Sequence, residues 1–351
     1  MIVSIPFTQT SNKVNDSLHY YHHSGEFRLE SGEALNDIQI AYQTFGTLNS
    51  DRSNVVWVCH ALTANTDPIQ WWPGLVGYNY LINPEEYFIV CANILGSCYG
   101  TTGPRDFDPK TGERYLSNFP NITIRDQVKA HILLKNYLGI ERIALGMGGS
   151  TGGQQILEWA IEDPIFDKLF IIATSAQSSP WGKAIRASQR MAIEADVSFF
   201  SSSVNGGKKG MEAARAMALL SYRTPETFNQ SQRDDNEALE SYKAESYQRY
   251  QGIKLSNRFD ARSYYTLGKT MDTHNVGRGR GSVQKALASI KTETLIIGIE
   301  SDILFPLTDQ QTIADHLPNS TFEIIQSDYG HDGFLIETQK ISEILKPFLK
   351  K

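Results

Sequence analysis

The stretch Gly-Met-Gly-Gly-Ser-Thr-Gly-Gly at residues 146–153 joins an apolar run, residues 142–147, to an amphipathic one. The apolar run is typical of a short buried strand, and the apolar positions of the amphipathic run recur at helical spacing. The stretch therefore predicts a strand-to-helix turn with Ser150 at its tip. Within it, Gly148-x-Ser150-x-Gly152 is the G-x-S-x-G pattern of a nucleophile elbow.

The two glycines of this pattern have a steric reason. The residues two before and two after the serine pack against each other, so a Cβ at Gly148 or Gly152 would clash. The strained turn lifts the Ser150 hydroxyl above the sheet and points the backbone N–H of Thr151 at a developing oxyanion. The pattern alone also fits a plain loop or a phosphate cradle. The rest of the chain has to supply partners for the serine.

Length and composition limit the classes of protein to which this chain can belong. The chain has 351 residues, of which 40% are hydrophobic and 21% charged, enough for a full core with an insertion or a second domain. A net charge of −6 gives no reason to expect a nucleic acid or an anionic membrane as partner. No apolar run reaches the roughly 18 residues of a membrane-spanning helix.

Cysteine usage and the first residues predict a cytoplasmic protein without a metal. Cys59, Cys91 and Cys98 are too few and too unevenly placed for a disulfide framework. No cluster of His, Cys and Asp has ligand spacing. The first ten residues lack a basic region and contain Pro6, so a signal peptide is not expected.

Eight runs predict the strands of one sheet. Residues 26–30 and 38–46 alternate apolar and polar side chains, as in an antiparallel pair at a sheet edge. Largely apolar runs, typical of buried strands, occupy residues 55–59, 87–92, 142–147, 168–174 and 294–300, and the strand pattern continues at residues 321–326. Helical periods at residues 124–138, 307–317 and 334–349 separate or follow them. This alternation predicts an α/β fold with a mostly parallel eight-stranded sheet covered on both faces.

A helical block interrupts the pattern before the last two strands. Its helices are predicted at residues 183–195, 210–222, 238–251 and 261–271. Residues 277–282, Gly-Arg-Gly-Arg-Gly-Ser, resemble a flexible basic return. We therefore predict a core formed by residues 1–176 and 282–351, with an inserted α-helical lid domain at residues 177–281.

An acid and a base follow the serine in the order that an elbow enzyme requires. Asp302 comes directly after the seventh predicted strand, and His331 comes shortly after the eighth. Asp302 alone would be interpreted as a helix cap, and His331 alone as an ordinary histidine. Their order after the elbow predicts a triad in which Ser150 is the nucleophile, His331 the general base and acid, and Asp302 the residue that fixes the histidine tautomer.

The oxyanion hole needs a second backbone donor from the loop after the third strand. That loop begins His60-Ala61-Leu62, and the N–H of Leu62 is the candidate beside that of Thr151. A strand end capped by small residues is the simpler interpretation of this loop.

Several further segments resemble one family. They are Cys59-His-Ala-Leu-Thr, Trp71-Trp72-Pro-Gly, Asn93-Ile-Leu-Gly96, Thr102-Gly-Pro, Phe119-Pro-Asn-Ile-Thr-Ile-Arg-Asp, Gly148-Gly-Ser-Thr-Gly-Gly, Tyr247-Gln-Arg-Tyr-Gln-Gly, Arg258-Phe-Asp-Ala and Gly330-His-Asp-Gly-Phe-Leu. Together they look like the homoserine O-acetyltransferases of the α/β-hydrolase fold, over residues 28–335. The resemblance implies acetyl transfer from acetyl-CoA to the hydroxyl of L-homoserine, on the route to methionine, by a ping-pong mechanism through Ser150. It implies acetyl-CoA as a substrate and no resident cofactor.

The resemblance also implies substrate-binding residues. Arg215 and Tyr222 match the family's lid arginine and tyrosine, and Asp332 matches the position that receives the substrate amino group. A guanidinium suits a carboxylate, and an aspartate suits an ammonium group. The alternative is that Arg215 forms an ion pair with a lid acid such as Glu212.

Two departures from the family leave specificity open. The family commonly has Met after the nucleophile and again beyond the second glycine pair, where this chain has Thr151 and Gln154-Gln155. A succinyl donor or a serine acceptor therefore remains an alternative, as do an esterase that uses water and a non-catalytic binding protein on the same scaffold. We also expect a homodimer through the lid helices, because Phe199, Phe200, Tyr264 and Tyr265 look like exposed apolar residues.

Overall fold

One eight-stranded sheet organises the computed structural model, which describes residues 17–237 and 239–350. The strands are β1 His19–Arg28, β2 Ala34–Phe45, β3 Val55–Cys59, β4 Phe88–Ala92, β5 Ile143–Gly149, β6 Phe166–Ile172, β7 Glu293–Ile299 and β8 Ser320–Ile325. The helices are α1 Pro68–Trp71, α2 Ile124–Tyr137, α3 Thr151–Glu162, α4 Pro180–Glu194, α5 Lys208–Tyr222, α6 Pro225–Ser231, α7 Lys243–Ser256, α8 Ala261–Asp272, α9 Val283–Ser289, α10 Leu307–His316, α11 Gly333–Ile336 and α12 Thr338–Lys350.

The predicted sheet is confirmed. Its order is β1-β2-β4-β3-β5-β6-β7-β8, and β2 runs antiparallel to both β1 and β4 while the remaining neighbours are parallel. The edge strand β1 begins at His19, earlier than the predicted residue 26. Every residue of β3 is buried, as its continuous apolar run predicted.

Apolar side chains pack against both faces of the sheet. On one face, α2, α3 and α10 contribute Val128, Ile156 and Ile313 to the larger core cluster. On the other face, α12 contributes Leu345 and Phe348. The predicted C-terminal helix at residues 334–349 is wrong as a single element, because α11 ends at Ile336 and α12 starts at Thr338.

Helices α4 to α8 lie between β6 and β7, and the described part of this segment, which we call the helical segment, contains no strand. Three of its helices have nearly the predicted bounds, and the fourth, predicted at 238–251, has the wrong bounds, since α7 spans Lys243–Ser256. The polar run that precedes α7 has no apolar face to bury. Helix α7 continues beyond the predicted end because Leu255 and Ser256 are buried.

Helix α6 was not predicted. Ala238 lies outside the described residues, as do the first ten residues on which the expectation about a signal peptide rests.

The helical segment has a core of its own. Phe199 and Tyr264 are only 3% and 2% exposed, in a cluster with Met211 and Leu255. The prediction that Phe199 and Tyr264 lie on the surface is therefore wrong, because their rings fill the space between these helices.

Residues 277–282 are firmly anchored, not a flexible return. Arg278 binds Glu30 at 2.7 Å, and Arg280 binds Glu158 at 2.5 Å. Arg125 of α2 binds the same two carboxylates at 2.6 and 2.7 Å. These ion pairs join the end of the helical segment to α2 and α3. Among the residues that the structure describes, no helix is long and apolar enough to cross a membrane.

Candidate active site

The turn between β5 and α3 holds Ser150 in a strained conformation. Its φ is +57° and its ψ is −127°, a region that residues other than glycine rarely occupy. The Ser150 amide donates to the Ile172 carbonyl at 3.0 Å, and Thr174 Oγ1 donates to the Ser150 carbonyl at 2.7 Å. These bonds to the end of β6 hold the predicted elbow in place.

The flanking glycines are required by close backbone contacts. A Cβ on Gly148 would lie 2.4 Å from the Gly152 carbonyl carbon, and one on Gly152 would lie 2.1 Å from the Cys59 carbonyl oxygen. The first contact is the one expected from the sequence. The second was not expected, and it shows that α3 starts directly against the end of β3.

Ser150, His331 and Asp302 form one hydrogen-bonded chain. Ser150 Oγ lies 2.9 Å from His331 Nε2, and His331 Nδ1 lies 2.7 Å from Asp302 Oδ2. An ionised carboxylate only accepts, so Nδ1 carries the proton and Nε2 is free to accept the serine hydroxyl proton. The structure thus brings together the nucleophile, base and acid predicted from the order of the sequence.

The rest of the structure fixes the orientation of the acid and the base. The second oxygen of Asp302 accepts hydrogen bonds from the amides of Leu304 and Phe305 at 2.8 and 2.9 Å. The ring of His331 packs between those of Phe305 and Phe334, with centroids 5.2 and 5.3 Å away. Both Asp302 and His331 are buried, so their interaction is shielded from water.

The amides of Leu62 and Thr151 stay the candidate donors of an oxyanion hole. Thr151 is the first residue of α3, and the first amides of a helix have no acceptor within the helix. Leu62 lies in a turn that is closed by a 3.0 Å hydrogen bond from the Ala64 amide to the Ala61 carbonyl. The Leu62 amide takes no part in that bond. Leu62 lines the cavity that contains Ser150.

The sequence did not predict that two buried side chains hold this loop. His60 Nδ1 donates to the Ala61 carbonyl at 2.8 Å, and His60 Nε2 accepts from the Ile94 amide at 3.1 Å. Burial lowers the pKa of His60 to about 4, so its ring is neutral at pH 7. Gln155 of α3 donates to the His60 carbonyl at 3.2 Å and to the Thr151 carbonyl at 3.1 Å. Gln155 thus links the two backbone segments of the proposed oxyanion hole.

A cavity of about 290 Å³ opens beside Ser150 and His331, and Arg215 and Tyr222 line it. The Arg215 guanidinium lies 5.3 Å from the centre of the Tyr222 ring. Within the described residues, no carboxylate lies within ion-pair distance of Arg215, and Glu212 pairs instead with Lys209 at 2.9 Å. The alternative in which Arg215 pairs with Glu212 is therefore wrong, and the cavity contains a cation without a counter-ion.

Asp332 also lines this cavity, but it already has a cationic neighbour. Arg223, the residue that caps α5, places its Nε 3.1 Å from Asp332 Oδ2. Nothing in the sequence pattern pointed to Arg223. A substrate ammonium group would therefore share the carboxylate of Asp332 with this guanidinium.

The sequence assigned no role to two further groups near the site. Arg258 lines the cavity and donates to the Thr63 carbonyl at 2.6 Å and to the Tyr99 hydroxyl at 2.7 Å. Asp309 lies in the first turn of α10, close enough to Asp302 to feel its charge. Burial, together with the charge of Asp302, raises the pKa of Asp309 to about 6.

Comparisons with known proteins agree with this fold. The family model described as the alpha/beta hydrolase fold matches residues 54–338. A curated relative, the homoserine O-acetyltransferase of Cyclobacterium marinum, is 47% identical over 321 residues, which cover 91% of this chain and 92% of the relative.

Solved structures share the same overall shape. The homoserine O-acetyltransferase of Bacillus anthracis superposes with a TM-score of 0.90 at 23% identity, over 95% of this chain and 98% of the other. An acetylester hydrolase from Corynebacterium glutamicum superposes with a TM-score of 0.84 at 25% identity, over 95% and 96% of the two chains.

Proposed function

Because this chain belongs to the homoserine O-acetyltransferases of the α/β-hydrolase family, we propose that it transfers the acetyl group of acetyl-CoA to the side-chain hydroxyl of L-homoserine. The observation that carries this proposal is the unpaired Arg215 in the same cavity as the serine–histidine pair. An enzyme that passes an acyl group to water has no use for such a cation, whereas an amino-acid acceptor brings a carboxylate.

In the proposed first half-reaction, Ser150 Oγ attacks the thioester carbonyl as His331 Nε2 takes its proton. The negative charge on the former carbonyl oxygen is stabilised by the amides of Leu62 and Thr151. Asp302 stabilises the imidazolium that forms. The carbon–sulfur bond then breaks, His331 gives the proton to the departing thiolate, and the acetyl group remains on Ser150.

In the proposed second half-reaction, His331 takes the proton of the homoserine hydroxyl, whose oxygen attacks the acetyl-serine ester. The bond to Ser150 Oγ breaks, and His331 returns the proton to the serine. Ser150 and His331 supply the nucleophile and the proton transfers, so the proposed reaction uses acetyl-CoA as a substrate and no resident cofactor or metal.

The acceptor is proposed to bind through its two charged ends. Arg215 suits the carboxylate because a guanidinium can donate two parallel hydrogen bonds. Asp332 suits the ammonium group, with Arg223 holding the other side of the carboxylate. The Tyr222 ring lies 5.3 Å from the Arg215 guanidinium and packs against the ring of His331, with centroids 5.7 Å apart.

We propose that residues 177–281 form a lid and that the protein is a homodimer through this lid. Four apolar side chains on α5 and α7 are more than 40% exposed: Met217, Leu220, Tyr250 and Ile253. The two helices pack closely, since a Cβ on Gly252 would lie 2.6 Å from the Glu212 carbonyl oxygen. An exposed apolar surface on a rigid helix pair is typical of an interface between subunits. A monomer by light scattering would refute the dimer.

We further propose that the enzyme acts in methionine biosynthesis in the cytoplasm. The product would be O-acetyl-homoserine, whose acetate is a better leaving group than hydroxide and therefore prepares the side chain for substitution by a sulfur nucleophile. Cys59, Cys91 and Cys98 are all free thiols, which suits a reducing compartment.

A panel of donors and acceptors tests the proposed function. Purified protein is incubated with acetyl-CoA or succinyl-CoA and with L-homoserine, L-serine or no acceptor, and the released thiol and the acylated amino acid are both measured. We expect acetyl-CoA with L-homoserine to be the best pair and Ser150→Ala to abolish thiol release. Equal thiol release with and without an acceptor would show that the protein is a hydrolase, and a serine-reactive probe that fails to label Ser150 would favour a binding protein.

A further inference from the structure

A second groove, of about 350 Å³, is lined by three cationic side chains, Arg105, Lys208 and Arg258. All three are exposed. Over residues 17–237 and 239–350, none of these three cations has a carboxylate within ion-pair distance, although most other arginines of the same segments do. In a chain whose net charge is −6, a groove with three unpaired cations is an exception to the overall charge.

The cationic groove adjoins the cavity of the triad. Arg258 lines both, and its bonds to Thr63 and Tyr99 place it on the wall between them. Helix α5 continues from one to the other, because Met211 lines the groove and Arg215, four residues later, lines the cavity. A long ligand with one end at Ser150 can therefore reach the groove with its other end.

The groove is suited to an anion despite one carboxylate in its wall. That carboxylate, Asp260, is 5% exposed and caps α8 by accepting from the Ser263 amide at 2.8 Å. Burial raises its pKa, and the nearby charge of Arg105 only partly opposes this. Lys208 is held towards the groove by a 3.3 Å hydrogen bond to Asn257. The three cations therefore dominate the charge that a ligand in the groove encounters.

We propose that Arg105, Lys208 and Arg258 bind the phosphate groups of the nucleotide part of the acyl-CoA donor, which rests on the proposed use of acyl-CoA. Arginine and lysine are the usual side-chain ligands of phosphate, through charge-assisted hydrogen bonds. In this arrangement the thioester lies at Ser150, the connecting arm passes Arg258, and the phosphates lie beside Lys208 and Arg105.

A comparison of two donors tests this proposal. The double variant Arg105→Gln/Lys208→Gln is assayed with acetyl-CoA and with acetyl-pantetheine, which has the same thioester but no nucleotide. We expect kcat/KM for acetyl-CoA to fall at least about tenfold, as expected for lost charge-assisted hydrogen bonds, and kcat/KM for acetyl-pantetheine to stay within about twofold of the parent. The matched control is Lys209→Gln, which removes the neighbouring exposed lysine on the same helix.

Two results would overturn the proposal: an equal loss with both donors, or no loss with acetyl-CoA. A binding measurement keeps it distinct from the proposed reaction. Calorimetry with adenosine 3′,5′-bisphosphate needs no acyl transfer, and we expect binding to the parent and the Lys209→Gln control, with affinity at least about tenfold weaker in the double variant. If the bisphosphate binds all three proteins equally, the groove is not its site, whether or not the enzyme transfers acetyl groups.

Discussion

Replacing Arg215 with glutamine removes the cation proposed to hold the acceptor while keeping a side chain of similar length. Arg215 has no carboxylate partner among the described residues, and its guanidinium lies 5.3 Å from the centre of the Tyr222 ring. The substitution therefore breaks no ion pair of the free protein. The loss of the cation–π contact costs about 1 kcal/mol of the free energy of unfolding at most.

The expected effect on catalysis is larger. A hydrogen-bonded pair that involves a charged group contributes about 1.5–3 kcal/mol. This corresponds to a loss of about 10- to 150-fold in kcat/KM for L-homoserine. The first half-reaction does not involve the acceptor, so the rate at which acetyl-CoA acetylates Ser150 should change by less than about twofold. Arg215→Lys should restore part of the loss, because it keeps the charge without the planar pair of donors.

The assay measures the two half-reactions separately. Rapid quench with acetyl-CoA alone gives the rate of acetylation, and steady-state transfer at varied L-homoserine gives kcat/KM. Arg249→Gln replaces an exposed arginine on α7 that pairs with Glu245; it is the matched control and should leave both values unchanged. If Arg215→Gln slows acetylation as much as transfer, Arg215 acts through the structure of the site, and the proposed role in acceptor binding is refuted.

Three further substitutions test the triad and the charges around it. Asp302→Asn should lower kcat by about 10⁴-fold, measured as acetyl transfer, with a circular dichroism spectrum like that of the parent; a loss below about tenfold would contradict the triad. Burial alone would raise the pKa of Glu30, but its hydrogen bond to Arg278 lowers it to about 2. Glu30→Gln should therefore cost up to about 3 kcal/mol in urea unfolding above pH 4.5, and the difference should shrink as the pH falls towards 2. Asp309 has a raised pKa of about 6, so the parent loses stability as the pH rises from about 4 to 6, and Asp309→Asn should be more stable than the parent by about 1–2 kcal/mol at pH 7 but not at pH 4. If Glu30→Gln or Asp309→Asn changed the free energy of unfolding equally at high and low pH, the electrostatic explanation for that residue would be contradicted.

The sequence predicted the features that depend on local pattern. The elbow around Ser150 follows from glycine spacing and from the change of hydrophobic period. Asp302 and His331 follow because each comes just after an apolar strand and in the required order. The carboxyl ends of parallel strands meet at one edge of the sheet, so position along the chain was enough to predict proximity in space.

Features that depend on long-range contacts were not predictable in the same way. Gln155 faces the loop after β3 only because α3 starts against the end of that strand. Arg223 meets Asp332 across 109 positions of the chain, and no local pattern pairs them. Arg278 and Arg280 lie in a glycine-rich stretch that looks flexible, yet their carboxylate partners come from two distant segments, the turn between β1 and β2 and helix α3. Phe199 and Tyr264 are buried, against the expectation from the sequence, because an apolar side chain on a helix can face either a core or solvent and only the packing of the helices decides which.

The most direct test of the proposed mechanism is the mass of the protein after incubation with acetyl-CoA, before and after addition of L-homoserine. We predict that one acetyl group is attached without acceptor, on the peptide that contains Ser150, and that L-homoserine removes it as O-acetyl-homoserine much faster than water does. A protein that gains no acetyl group on Ser150, or one that loses it equally fast with and without L-homoserine, would contradict acyl transfer through this serine.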